Sequence, residues 1–137
     1  MTPEIAKDVA TLLNARNQLA VEYDAKKVLD HADRYIVRQD ADSKVVGVVE
    51  IKKLQWYQCE IDHLSVAVDR CGIGSSLLVE ALAKAKALGA RIAQCTIRVG
   101  KTGSEALFAK HGFVPSVTFK NYETGNRVTV FHKALTP

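Results

Sequence analysis

The chain has 137 residues, 47% hydrophobic and 25% charged, with a formal net charge of +4. That composition predicts one soluble domain with enough chain for a proper core and no room for a second, and it contains no membrane-length apolar run. The positive charge is spread along the chain as ordinary surface charge, which gives no signal for nucleic acid. Cys59, Cys71 and Cys95 are odd in number and far apart, and no signal peptide precedes them, so a reducing cytoplasm is expected. Neither they nor His31, His63, His111 and His132 have metal-ligand spacing, and no metal is expected.

In chain order, Thr2-Pro3-Glu4 starts a helix that carries Ile5, Val9, Leu12 and Leu13 on one face. A second helix, from about Asp24 to Ala32, turns Val28 and Leu29 inward. Tyr35–Gln39 and Val45–Ile51 read as β-branched strands around the polar turn Asp40–Lys44, forming a hairpin. A third strand, Gln58–Val68, follows Trp56-Tyr57 and is expected to pair antiparallel with the second. The next helix buries Leu77, Leu78, Ala81, Leu82, Ala85 and Leu88 and stops at Gly89. Arg91–Val99 is entered from that helix, so a right-handed crossover makes it parallel to the third strand. Val114–Lys120 and Arg127–Lys133 close the chain as a second antiparallel pair.

The chemistry concentrates between Glu60 and Leu88. There Val66-Ala67-Val68-Asp69-Arg70-Cys71-Gly72-Ile73-Gly74-Ser75-Ser76 joins an apolar strand to a helix through two glycines, which let a ligand approach the backbone. The positive end of the helix dipole makes a phosphate or pyrophosphate the expected guest. Two other phosphate motifs fit less well. The dinucleotide fingerprint wants a third glycine where Leu77 stands, and Gly100-Lys101-Thr102 lacks the P-loop glycine five residues earlier, where Cys95 stands.

The stretch resembles motif A of the GNAT superfamily of acyl-CoA-dependent N-acyltransferases. Leu64-Ser65-Val66 matches the strand end of that motif, and Gly72-Ile73-Gly74 matches its glycines. Ala106-Leu107-Phe108-Ala109-Lys110-His111-Gly112-Phe113 is similar to motif B, with one helix and one strand between the two motifs as in the family. The resemblance runs from about Val45 to Phe119. It implies a mixed α/β fold: a mostly antiparallel sheet with a central splayed parallel pair and helices on both faces. The family's first strand is expected to be absent.

The resemblance also implies acetyl-CoA as co-substrate, with its pantetheine arm in the wedge between the parallel strands and its thioester near Leu64 to Val66. Cofactor contacts are expected from Leu64, Val66, Val68, Arg70, Cys71, Gly72, Ile73, Gly74, Ser75, Ser76, Lys101 and Phe108. The loop is about two residues shorter than the common pattern. Asp69 falls where arginine or glutamine is usual, so Arg70 is expected to face the pyrophosphate. Lys101 falls near a frequent cofactor-binding asparagine, and Phe108 stands where many members carry a tyrosine that protonates the departing thiolate. Tyr57, Tyr122 and solvent remain open for that role.

Glu60 lies at the strand position that carries a general-base glutamate in a number of members. Asp62 shares its face, and His63 faces the other way unless the strand bulges. The expected function is acetyl transfer to the primary amine of a small molecule or peptide, with Glu60 as base through a water and homodimerisation open. The competing reading is a GNAT-like module that only holds acyl-CoA or a protein partner.

Overall fold

The structure, a computed structural model, describes residues 1–17, 19, 21–68 and 71–135. Its elements run α1 (Pro3–Arg16), α2 (Ala25–Asp30), a 3₁₀ turn (Ala32–Arg34), β1 (Tyr35–Gln39), β2 (Val45–Gln55), β3 (Gln58–Val66), α3 (Ile73–Ala87), β4 (Ile92–Arg98), α4 (Thr102–Lys110), β5 (Val114–Lys120) and β6 (Arg127–Ala134). Among the described residues, six strands follow the hydrogen-bonded order β1-β2-β3-β4-β6-β5, mostly antiparallel with β3 and β4 parallel. No helix among the described residues is long and apolar enough to cross a membrane. Contacts divide the chain into two compact units, Met1–Ile51 with His63–Ala81, and Lys52–Asp62 with Leu82–Pro137.

In the first unit, the Thr2 hydroxyl accepts from the Ile5 amide at 3.2 Å and caps α1, with Pro3 at the first helical position. The helix buries Val9, Leu12 and Leu13 among Tyr23, Val28, Tyr35, Val45 and Val48. Leu29, expected inside with Val28, is only partly buried. Antiparallel pairing places Tyr35 opposite Glu50 and Val37 opposite Val48. Gly47 on β2 lets α3 come close. A Cβ there would stand 2.7 Å from Ile73 Cγ2 and 2.8 Å from Leu77 Cδ1, so any side chain would have to displace one or both of these side chains.

In the second unit, β3 and β4 run in parallel register from Gln58↔Ile92 to Glu60↔Gln94. β6 then inserts between β4 and β5, pairing antiparallel with both. At the end of α3, the Ala90 amide donates to the Ala85 carbonyl and the Gly89 amide to Lys86, both at 3.0 Å. This is the Schellman closure that the glycine signal predicts.

Several boundaries differ from expectation: α2 ends at Asp30 rather than Ala32, β4 spans Ile92–Arg98 rather than Arg91–Val99, and β6 runs one residue further, to Ala134. β2 continues four residues beyond Ile51, because backbone pairing extends past the buried stretch to the Trp56-Tyr57 turn. β3 ends at Val66, two residues early. Leu88 is 54% exposed, since the chain has left the helix by that point and turns at Gly89.

Candidate active site

The glycine turn lies in the first unit. Gly72 holds φ +80, a conformation that costs a non-glycine residue, and nothing lies within 4 Å of where its Cβ would be. Its carbonyl receives the Ser76 amide at 3.0 Å, opening α3. Gly74 lies inside the first turn of α3 and does not share the positive φ of Gly72. Amides of that turn point out of the helix's positive end, as at any helix N-terminus. Cys71 and Ser76 are exposed, Ile73, Gly74 and Ser75 half-buried. The Cys71 thiol donates to the Val68 carbonyl at 3.1 Å. Leu64 and Val66 are half-buried on β3 and Val68 is exposed beyond it, while Arg70 lies outside the described residues.

Sequence reasoning missed Arg38 at this turn. From β1 it donates through Nη2 to Ser76 Oγ and through Nη1 to Glu80 Oε2, each at 3.1 Å. Nothing in a strand arginine pointed there before β1 was set beside α3.

A second feature missed by sequence reasoning is the buried carboxylate of Glu50, 2% exposed. Tyr23 Oη donates to it at 3.3 Å, and Arg34 Nη1 lies at 3.9 Å. Burial, followed by the charge of Glu50, holds the neighbouring Tyr35 hydroxyl well above its ordinary pKa. Tyr23 packs edge-on against His63, with ring centroids 5.6 Å apart. His63 itself has φ +50, unusual for a strand residue other than glycine. Its carbonyl receives the Ser65 hydroxyl at 2.9 Å, and Ser65 in turn receives Asn17 Nδ2 at 2.8 Å. This is the irregularity in β3 on which the orientation of His63 depends.

Glu60, Lys101 and Phe108 lie in the second unit. Glu60 is half-buried, and burial together with the nearby charge of Asp62 pushes its pKa up to about 7. Asp62 lies on the same face, as the period of two requires, and forms an ion pair with Lys52 at 2.9 Å. Lys52 and Gln94 act on Glu60 in the opposite sense, with Gln94 Nε2 donating to Glu60 Oε2 at 3.3 Å. A carboxyl titrating near neutrality is suited to accept a proton during catalysis. Burial raises the Cys95 thiol to about 12, which keeps it protonated, and Glu60's charge adds to the effect. Lys101 is half-buried at the start of α4. Phe108, on α4, is 5% exposed and packs against Phe113.

The family model for the GNAT acetyltransferase domain matches residues 5–113. The chain belongs to the GNAT acetyltransferase family. No curated protein matches it in sequence. Among solved structures of the same fold, Ard1 from Thermoplasma volcanium has a TM-score of 0.85 at 19% identity, covering 100% of this chain and 95% of its own. The ribosomal-protein-alanine N-acetyltransferase of Brucella melitensis has a TM-score of 0.80 at 20% identity, covering 98% and 96%. The structure of yncA from Salmonella typhimurium with acetyl-CoA has a TM-score of 0.84 at 15% identity, covering 99% and 91%. The glycine turn opens the helix that follows β3, and Gly-Phe follows the end of α4.

Proposed function

We propose that the protein moves an acetyl group from acetyl-CoA to a primary amine by direct attack of the amine on the thioester. The observation that carries this reading is the half-buried Glu60 carboxyl, raised to about 7 beside Asp62. In this reading the cofactor's pyrophosphate rests on backbone groups of Val66, Val68 and Cys71–Ser76, with Arg70 contributing charge. Glu60 takes the amine proton through a water as the C–N bond forms. A backbone N–H near Val66 stabilises the tetrahedral oxyanion. The C–S bond then breaks, and the thiolate takes a proton from solvent, since Phe108 has none to give.

The acceptor is the amine of a small molecule or a peptide. The carboxylates of Glu60 and Asp62 favour a cationic group, and one structural neighbour is named for the alanine of ribosomal proteins. The three cysteines are free thiols, which suits a reducing cytoplasm.

The test is thiol release from acetyl-CoA across a panel of amines and peptides, with coenzyme A binding measured in parallel by calorimetry. Amine-dependent release is expected. Cofactor binding with no release for any acceptor would favour a binding module instead.

A further inference from the structure

A row of side chains leads from Glu60 across the second unit. Gln94 on β4 donates from Nε2 to Glu60 Oε2 at 3.3 Å. Its Oε1 accepts from Gln58 Nε2 at 2.9 Å and lies 3.0 Å from His132 Nε2 on β6. The other ring nitrogen, Nδ1, lies 2.5 Å from Ser116 Oγ on β5. Strand register builds the row: Gln94 pairs with His132 across β4 and β6, and Ser116 occupies the shift in register between Pro115 and Val117.

The chemistry of these groups allows one arrangement of protons when Glu60 is ionised. A carboxylate only accepts, so Gln94 turns its NH₂ toward Glu60 and its oxygen toward His132. That oxygen only accepts as well, so His132 carries a proton on Nε2. In its neutral form it then receives the Ser116 hydroxyl at Nδ1.

We propose that Gln94, oriented by His132 and Ser116, is a positioning residue that keeps an N–H donor on the Glu60 carboxylate and so sets its proton affinity. The proposal rests on the reading of Glu60 as general base. Without the His132 donor, Gln58 Nε2 alone still holds the Gln94 oxygen, so the amide turns over more readily and presents its oxygen to Glu60, which favours the protonated acid. Asp62 on the same strand, Lys52 on β2 and Cys95 on β4 also face Glu60 electrostatically, and all three are kept in the variants below.

The test reads Glu60 directly, through ¹³C NMR titration of its side-chain carboxyl in the full chain, with Glu60→Gln assigning the resonance. Gln94→Leu should move the midpoint upward by about one pH unit, the scale of one hydrogen bond to a charged group. His132→Leu should move it the same way by less, and His132→Gln, which keeps a donor at similar reach, should return it toward wild type. In the wild-type chain, ¹⁵N NMR should show neutral His132 as the Nε2–H tautomer, a measurement that needs no variant to fold. An unmoved midpoint in Gln94→Leu, an unmoved midpoint in His132→Leu, or an Nδ1–H tautomer would each overturn the proposal. A wild-type rate for Glu60→Gln, with the midpoint shifts intact, would instead defeat the general-base reading and leave the positioning role standing.

Discussion

Phe113 lies edge-on against Phe108, with ring centroids 5.0 Å apart and planes at 80°. The backbone explains the pair: the Phe113 amide donates to the Phe108 carbonyl at 3.1 Å, and the Gly112 amide to Ala109 at 3.0 Å. The two rings are therefore the apolar contact that accompanies a Schellman helix end. The Gly-Phe signature of motif B has a structural cause at this site, and Phe108 is held by packing.

Phe108→Ala should accordingly lower stability by about 3–5 kcal/mol, the usual cost of emptying a buried aromatic site. Phe108→Tyr should keep turnover, since the proposed reaction uses no phenolic acid at this position. It should lose about 1–3 kcal/mol if its hydroxyl is buried without a partner. Urea unfolding and steady-state rates on the same two variants check both statements.

Glu60→Gln should lower turnover by about 10²–10⁴-fold, the range of general-base assistance, with partial recovery at high pH where more amine is neutral. For the wild type, kcat/KM should rise with pH through about 7, as Glu60 ionises. A variant with wild-type rates at every pH would remove Glu60 from the chemistry. A loss confined to KM would assign it to acceptor binding and move the base to Asp62, His63 or bulk water.

The same carboxyl makes a stability prediction of definite sign. Its folded pKa of about 7 lies above the ordinary 4.5, so between these values the folded state holds a proton that the unfolded chain has released. This destabilisation grows as pH rises from about 4.5 to 7 and is constant above. At pH 8, Glu60→Gln should be more stable than wild type by about 1–2 kcal/mol, allowing for the group's partial exposure. At pH 4 the two should be equal. Denaturant titrations at the two pH values measure the difference.

Gly72 and Gly74 should separate in their effects. Gly72→Ala places a Cβ at φ +80 and should cost about 1–2 kcal/mol of stability as well as cofactor affinity. Gly74→Ala sits within α3 and should gain up to about 1 kcal/mol of helix propensity while still weakening coenzyme A. Calorimetric titration with coenzyme A on the folded variants decides the loop assignment: unchanged affinity in both would refute it.

Tyr23→Phe removes the hydroxyl donor to the buried Glu50 carboxylate and should destabilise the protein by about 1–3 kcal/mol. Tyr23→Phe combined with Glu50→Leu should lose less than the sum of the two single changes, because the polar group left without its donor is removed as well. Thermal unfolding of the three variants provides the comparison.

Local chain chemistry determined a large part of this protein. Strands Tyr35–Gln39 and Val114–Lys120 match their expected spans, because β-branched stretches bounded by turns report strand pairing directly. The helix start at Thr2 and the stop at Gly89 were legible for the same reason, since caps act within a few residues. The glycine turn and the Gly-Phe signature pointed to the family because both are consequences of local backbone geometry.

What only the tertiary structure decided depends on residues distant in sequence. The insertion of β6 beside β4 pairs Gln94 with His132, 38 positions apart. The burial of Glu50, invisible in an apolar strand pattern, becomes clear only when Tyr23 and Arg34 are packed against it. The acidity of Glu60 likewise depends on how deeply β3 lies and which side chains converge there. A residue type names the proton it can carry, while burial and neighbours decide the pH at which it carries it.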